Sequence, residues 1–205
     1  MMDKITLYTN PMSRGRIARW MLEEVGEPYD THLVQYGAPM KGEYRSINPM
    51  GKVPAVVHGS KVITECAAIC AYLADAFPEA GLAPEPADRA DYYRWMFFAA
   101  GPLESAVTNR SLGVQVPDEK RGFVGYGSYE EVIDTLEKAV EGRSFIAGDR
   151  FTAADVYLGS HIGFGLSFGS FEKRPAFVAY HERLKERLAF KRANELDDAA
   201  MPAQP

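Results

Sequence analysis

At 205 residues, with 46% hydrophobic and 25% charged side chains, the chain has the composition of a folded protein with room for one large core or two small ones. Its net charge of −5 argues against nucleic acid as the main partner, because phosphate binding wants a basic face. No apolar run reaches the roughly 20 residues that span a bilayer, Met1-Met2-Asp3-Lys4 lacks the layout of a signal peptide, and two cysteines exclude a disulfide framework, so a cytoplasmic location is expected.

Ile5-Thr6-Leu7-Tyr8 reads as a short apolar strand closed by the turn cluster Thr9-Asn10-Pro11. Residues 14–25 are helical: Ile17, Trp20, Met21 and Val25 share one face, while Arg16, Arg19, Glu23 and Glu24 fall largely on the other. Gly26 stands at the stop. Residues 29–34 form a second strand, and strand, helix, strand implies a right-handed parallel unit. A short polar helix over 42–47 precedes the strand Val53-Pro54-Ala55-Val56-Val57. Its proline cannot donate a ladder bond and suits a strand's first residue, with a cis Val53–Pro54 bond energetically accessible. His58-Gly59-Ser60 turns into a short strand over 61–64, and Glu65-Cys66 opens an amphipathic helix running to Phe77. The order βαβαββα is the one a thioredoxin-like domain requires.

Residues 78–88, rich in proline, alanine and acid, read as an exposed linker. The pattern then turns wholly helical. A long helix over 89–109 carries Gly101-Pro102, which predicts a kink. A loop follows over 113–127, then a helix over 128–140 with the stripe Val132, Leu136 and Val140. Thr152 and Asp155 make a shortened capping box for the next helix, Thr152 capping its N–H groups while Asp155 reaches back. The glycine- and aromatic-rich stretch 159–170 finishes that helix loosely, with Phe164 and Phe168 in the core or lining a pocket. Residues 175–188 form a last amphipathic helix, and 194–205 fray. The expected architecture is α/β plus all-α: a thioredoxin-like domain over 1–78, a linker over 79–88 and a helical domain over 89–205.

Chemistry concentrates in the first half. A strand end at Val53-Pro54 leaves backbone groups ready to pair with a bound peptide, and the helix start at Glu65-Cys66 offers N–H groups and a positive dipole end to an anion. Together they suit a small peptide carrying a carboxylate; an ordinary hairpin and core helix account for the same residues. Ser13, between the first strand and the first helix, either faces a ligand at the strand's carboxyl end or caps the helix. Cys66 and Cys70 cannot fill a tetrahedral metal site, His32, His58, His161 and His181 show no motif spacing, and no CxxC is present for dithiol exchange. No metal site is expected.

Asn48–Phe77, with NPMGKVPAV followed by an acidic and a small residue opening a helix, resembles the glutathione-binding half of the cytosolic glutathione transferases. The likeness extends back through Tyr8–Asp30 and forward over nearly the whole chain, which resembles the bacterial serine-type members. It implies a transferase in which glutathione is co-substrate, with no other cofactor. Glutathione thiolate would attack a small hydrophobic electrophile, in detoxification, and the enzyme would be a homodimer in the cytoplasm that needs neither nucleic acid nor membrane. By position, Ser13 is the thiol-activating hydroxyl, with Tyr8 the rival and Arg16, or Arg14, giving electrostatic support. Val53 pairs with the cysteinyl backbone beside Pro54, Glu65 and Cys66 take the γ-glutamyl end, and Lys41 and Lys52 face the glycyl carboxylate. Cys66 departs from the family's serine and is a weaker donor. Met12, Tyr36, Ser105 and Phe164 are the side chains expected to line the electrophile's pocket. The same resemblance admits a glutathione-dependent isomerase, a disulfide reductase or a non-catalytic binding module.

Overall fold

Alternating burial along Ile5–Thr9 makes β1 a strand with one face in the core: Ile5, Leu7 and Thr9 are buried, Thr6 and Tyr8 half-buried. The structure, a computed structural model, describes residues 3–202. Strand β1 leads into helix α1, Gly15–Val25, which ends at Gly26 in the left-handed region (φ 81°) with its N–H on the Leu22 carbonyl. Strand β2, Tyr29–Leu33, pairs parallel with β1, and a short helix α2, Ala38–Lys41, and a 3-10 turn, Glu43–Ser46, follow it. Then come β3, Ala55–His58, β4, Lys61–Thr64, and helix α3, Cys66–Ala76. The sheet order is β2-β1-β3-β4, with β3 antiparallel to both neighbours. Leu7, Ile17, Met21, Ile69 and Leu73 are fully buried, and each such side chain stabilises by roughly 1.5–3 kcal/mol. The thioredoxin-like pattern is the observed one, with α2 as the addition that sequence periodicity did not mark.

The chain divides into two compact units: residues up to Ala83 together with those from Glu186 onward, and Pro84–Lys185. The second unit is all helical. Helix α4, Ala90–Phe98, passes through a π-helical segment, Ala99–Leu103, into α5, Glu104–Ser111. The irregularity sits at the expected Gly101-Pro102, where proline removes a helix bond. Helices α6, Tyr129–Val140, α7, Ala153–Phe168, and α8, Pro175–Lys185, complete the unit. The Thr152–Asp155 capping box forms as read, and the Asp155 carboxylate also accepts from Ile146 N at 2.8 Å and the Tyr180 hydroxyl at 2.5 Å. Helix α7 does not end loosely. Its glycines let neighbours close in, with His181 against Gly163 and Phe171 against Gly165.

The expectation of a frayed C-terminus over 194–205 is overturned for residues 194–199, and residues 203–205 lie outside the described residues. Leu188–Ala199 is a helix, α9, which packs on α1 in the first unit. Phe190 meets the Trp20 ring edge-on at 4.9 Å, Ala193 is buried, and Arg187 binds Glu24 through two bonds of 2.6 and 2.7 Å. Arg19, assigned to a polar face, is buried for the same reason. Its Nε donates to Asp197 at 2.8 Å, and its NH1 to Tyr29 Oη and Thr31 Oγ1, both at 3.2 Å. A periodicity argument about α1 alone cannot see that α9 supplies a counter-charge. Among the described residues no helix is long and apolar enough to cross a membrane.

Candidate active site

Sheet register assembles the site. Tyr8 lies opposite Ala55, and Ala55 opposite Thr64. At this end of the sheet β1 leaves, β3 enters and β4 leaves. Three segments therefore begin beside one cross-sheet row: the loop from Thr9 to Ser13, the Val53–Pro54 pair just before Ala55, and Glu65-Cys66 just after Thr64. The starts of α1 and α3 are tied directly, since the Cys66 thiol donates to the Arg14 carbonyl at 3.7 Å.

The loop before α1 has no ladder to shape it, so side chains do. Asn10, buried, donates from Nδ2 to the Val34 carbonyl at 3.0 Å and accepts the Met12 N–H at 2.9 Å. Its own carbonyl accepts from Ser13 N at 3.1 Å and from the Ser13 hydroxyl at 2.6 Å. The Ser13 oxygen in turn accepts the Gly15 N–H at 2.9 Å. Gly15 is required here, because a Cβ would sit 1.8 Å from Thr9 Oγ1. The Tyr36 hydroxyl donates to the Met12 carbonyl at 3.0 Å, and both side chains are about half exposed, 50% and 54%.

The Tyr8 ring and the Arg16 guanidinium are both held by neighbours. The Tyr8 ring packs against His32 and Tyr44 (centroids 5.0 and 5.9 Å), in a cluster with Val34 and Ala55. Arg16 spends its guanidinium on Pro11 O at 2.7 Å, Asn194 Oδ1 at 3.1 Å and Asp198 Oδ1 at 2.6 Å. Arg14 is exposed at the N-cap of α1.

The Val53–Pro54 peptide is cis, and Val53 lies outside the ladder, which starts at Ala55. Before it, the Lys52 carbonyl accepts from the Tyr44 hydroxyl at 2.8 Å and Asn48 Nδ2 at 2.7 Å, while the Lys52 side chain is exposed. Glu65, exposed, takes φ 64° and ψ 120°, a left-handed conformation that costs a non-glycine residue of order 1–3 kcal/mol. No side chain caps α3, so its first turn presents backbone N–H groups. Cys70, one turn on, is fully buried, and burial pushes its thiol well above the ordinary range. The Lys41 side chain lies outside the described residues. Ser105, exposed on α5, and Phe164, half-buried on α7 with its ring 6.1 Å from Phe168, belong to the second unit.

Asn10, Tyr44, Asn48, Asn194 and Asp198 hold this end of the sheet and were not singled out from sequence. For Asn10 and Asn48 a signal existed, because each stands beside a proline where an asparagine side chain bonds its own backbone two residues on.

Models of known families match both halves: the glutathione S-transferase N-terminal domain over residues 12–76, and the C-terminal domain over 127–187. Glutathione S-transferase A of Pleuronectes platessa is 32% identical over 184 residues, covering 83% of this chain and 82% of the relative. A glutathione transferase structure from Methylococcus capsulatus superposes with TM-score 0.76 at 26% identity, over 95% of this chain and 99% of that one. A sphingomonad glutathione S-transferase complexed with glutathione gives TM-score 0.76 at 26% identity, over 94% and 98%. On that identity and coverage, and on both domain models, the chain belongs to the glutathione S-transferase family of enzymes.

Proposed function

We propose that this chain conjugates glutathione thiolate to small hydrophobic electrophiles, with Ser13 as the activating hydroxyl. The observation that carries the reading is the shared row, which gathers the Ser13 loop, the Val53–Pro54 edge and the α3 N-terminus at one end of the sheet. A tripeptide with a thiol in its middle and carboxylates at both ends fits such a triad. Val53 pairs with its cysteinyl backbone beside Pro54. The N–H groups at Glu65 and Cys66 take the γ-glutamyl carboxylate, and Lys41 and Lys52 attract the glycyl one. Cys66 serves through its N–H, since its thiol is already directed at Arg14.

A free thiol of pKa about 8.5 is only a few per cent ionised at neutral pH, and a downward shift of two units requires about 2.7 kcal/mol. A hydroxyl donor and the start of α1 both favour the anion. The Ser13 oxygen stays where Gly15 N–H holds it, and only the hydroxyl hydrogen turns from Asn10 O toward sulfur. Met12 and Tyr36, exposed beside it, are the first-unit side chains placed to meet the electrophile. Cytoplasmic detoxification by a homodimer is carried by the resemblance alone, and sedimentation measures the oligomer.

The test is retention on immobilised glutathione with conjugation of an activated aryl halide. Ser13→Ala should lower kcat about 10²–10³-fold, the usual cost of losing one donor to a developing anion, with glutathione affinity nearly intact. An unchanged rate moves the role to Tyr8. No glutathione binding at millimolar concentration rejects the reading in favour of a non-catalytic module.

A further inference from the structure

We infer that the C-terminal helix α9 positions the Ser13 hydroxyl, with Arg16 as the positioning residue and Asn194 and Asp198 as its anchors. The inference rests on the reading of Ser13 as thiol activator.

The loop from Asn10 to Ser13 lies between a strand and a helix, and its shape is held by side-chain clamps that include Asn10 on Met12 N and on Val34 O, Tyr36 on Met12 O, the Ser13 hydroxyl on Asn10 O, and Arg16 Nε on Pro11 O. All but the last are made within the loop or with residues just past β2. Arg16 carries the loop to a segment far along the chain, through Asn194 and Asp198, 178 and 182 residues later. Those two anchors are four apart on α9 and so share a face. Asn194 is itself oriented, because its Nδ2 donates to the Phe190 carbonyl at 2.8 Å and turns Oδ1 toward Arg16. A guanidinium is a rigid planar fork, so fixing its two outer nitrogens on α9 fixes the direction in which Nε meets Pro11.

Two accounts of Arg16 make opposite predictions. If its charge steadied the thiolate, the Asp198 carboxylate at 2.6 Å would work against that purpose by neutralising it. Nor is the pair there mainly for stability: the Asp198 side chain is 66% exposed, and pairs of that kind contribute little to folding. What the pair does supply is direction. A displacement of the loop by a fraction of an ångström moves the serine hydroxyl off the sulfur while the glutathione-binding backbone at Val53 and α3 is left alone.

The experiment is the double substitution Asn194→Ala/Asp198→Ala in the full chain, with the exposed α9 substitution Glu195→Ala as control. Glutathione and an activated aryl halide are the probes. Positioning predicts a kcat about tenfold lower, a KM for glutathione and a melting temperature close to those of the parent, and a higher apparent pKa for the bound thiol, read from its ultraviolet thiolate absorbance. The charge account predicts a lower thiol pKa, because Arg16 loses its neutralising partner; that result, or an unchanged kcat, overturns the inference. Arg16→Lys keeps the charge and loses the fork, so it should show the same tenfold loss, and a parental rate would again overturn it. In a Ser13→Ala background the double substitution should have no further effect, since both act through one hydroxyl; an equal effect there would show that α9 works by another route. Failure of the underlying reading is separately visible. Ser13→Ala as active as the parent removes both conclusions, whereas an impaired Ser13→Ala beside a fully active double variant removes only this one.

Discussion

The Lys52 carbonyl accepts hydrogen bonds from Tyr44 and Asn48 together, and this fixes the backbone entering Val53–Pro54. Burial pushes the Tyr44 phenol up to about 12, because the charged form loses its hydration. The folded value lies above the unfolded value near 10, so the neutral phenol's contribution is complete below pH about 10 and is lost as pH rises through about 12. Tyr44→Phe should therefore show a shallower decline of unfolding free energy across that window than the parent, measured by urea midpoints at stepped pH. Burial raises Tyr29 and Tyr180 as well, so the slope is reduced rather than abolished. Identical slopes in the two chains would refute the assignment. At the same scale, Arg14 and not Ser13 stands at the N-cap of α1, while the Ser13 oxygen accepts from Gly15 N–H and its hydroxyl donates to the Asn10 carbonyl, so the bond to the helix start leaves the hydroxyl hydrogen for the activation proposed above.

Among the elements, α7 shows packing overriding intrinsic preference. Gly159, Gly163 and Gly165 lower its helix propensity, and replacing one with alanine should help an isolated helix by about 1 kcal/mol. In the folded unit a Cβ at Gly165 would lie 2.4 Å from ring carbons of Phe171, which is itself buried and cannot swing clear. Overpacking of that kind costs about 1–3 kcal/mol and outweighs the propensity gain. Gly165→Ala should thus lower the melting temperature, and a rise would show that Phe171 relaxes. Helix α9 makes the complementary point. Its sequence has a weak apolar stripe, yet it stands as a helix because α1 offers Trp20, Glu23 and Glu24 to Phe190, Arg192 and Arg187.

For the molecule as a whole, the chain returns to its first unit after building its second. Residues up to Ala83 contain the whole sheet and α1–α3 but lack the partner of Arg19. A chain ending at Ala83 would expose Trp20 and leave a buried arginine without its carboxylate, a defect worth about 3–5 kcal/mol when one member of a buried pair is removed. That is a large share of a small domain's total stability. Such a chain should give no cooperative thermal transition, and adding residues 186–202 through a flexible linker should restore one. A sharp transition without α9 would show that the first unit is self-sufficient.

The sequence by itself determined what short-range physics controls. A short apolar run closed by a turn cluster marked β1. A proline opening an apolar run marked the start of β3. The Thr152–Asp155 spacing marked the α7 cap, and Gly101-Pro102 marked the break in the helix before α5. Motif spacing in Asn48–Phe77 was specific enough to point to the family. Tertiary structure alone decided the rest, because the deciding partner lay far along the chain. Arg19 is buried and not solvated because Asp197 waits 178 residues away, and Arg16 serves Pro11 and α9 rather than open solvent. Residues 188–199 are a helix and not a frayed tail because α1 provides a face to dock on. No window along the sequence contains both members of such a pair, so no local pattern can report it.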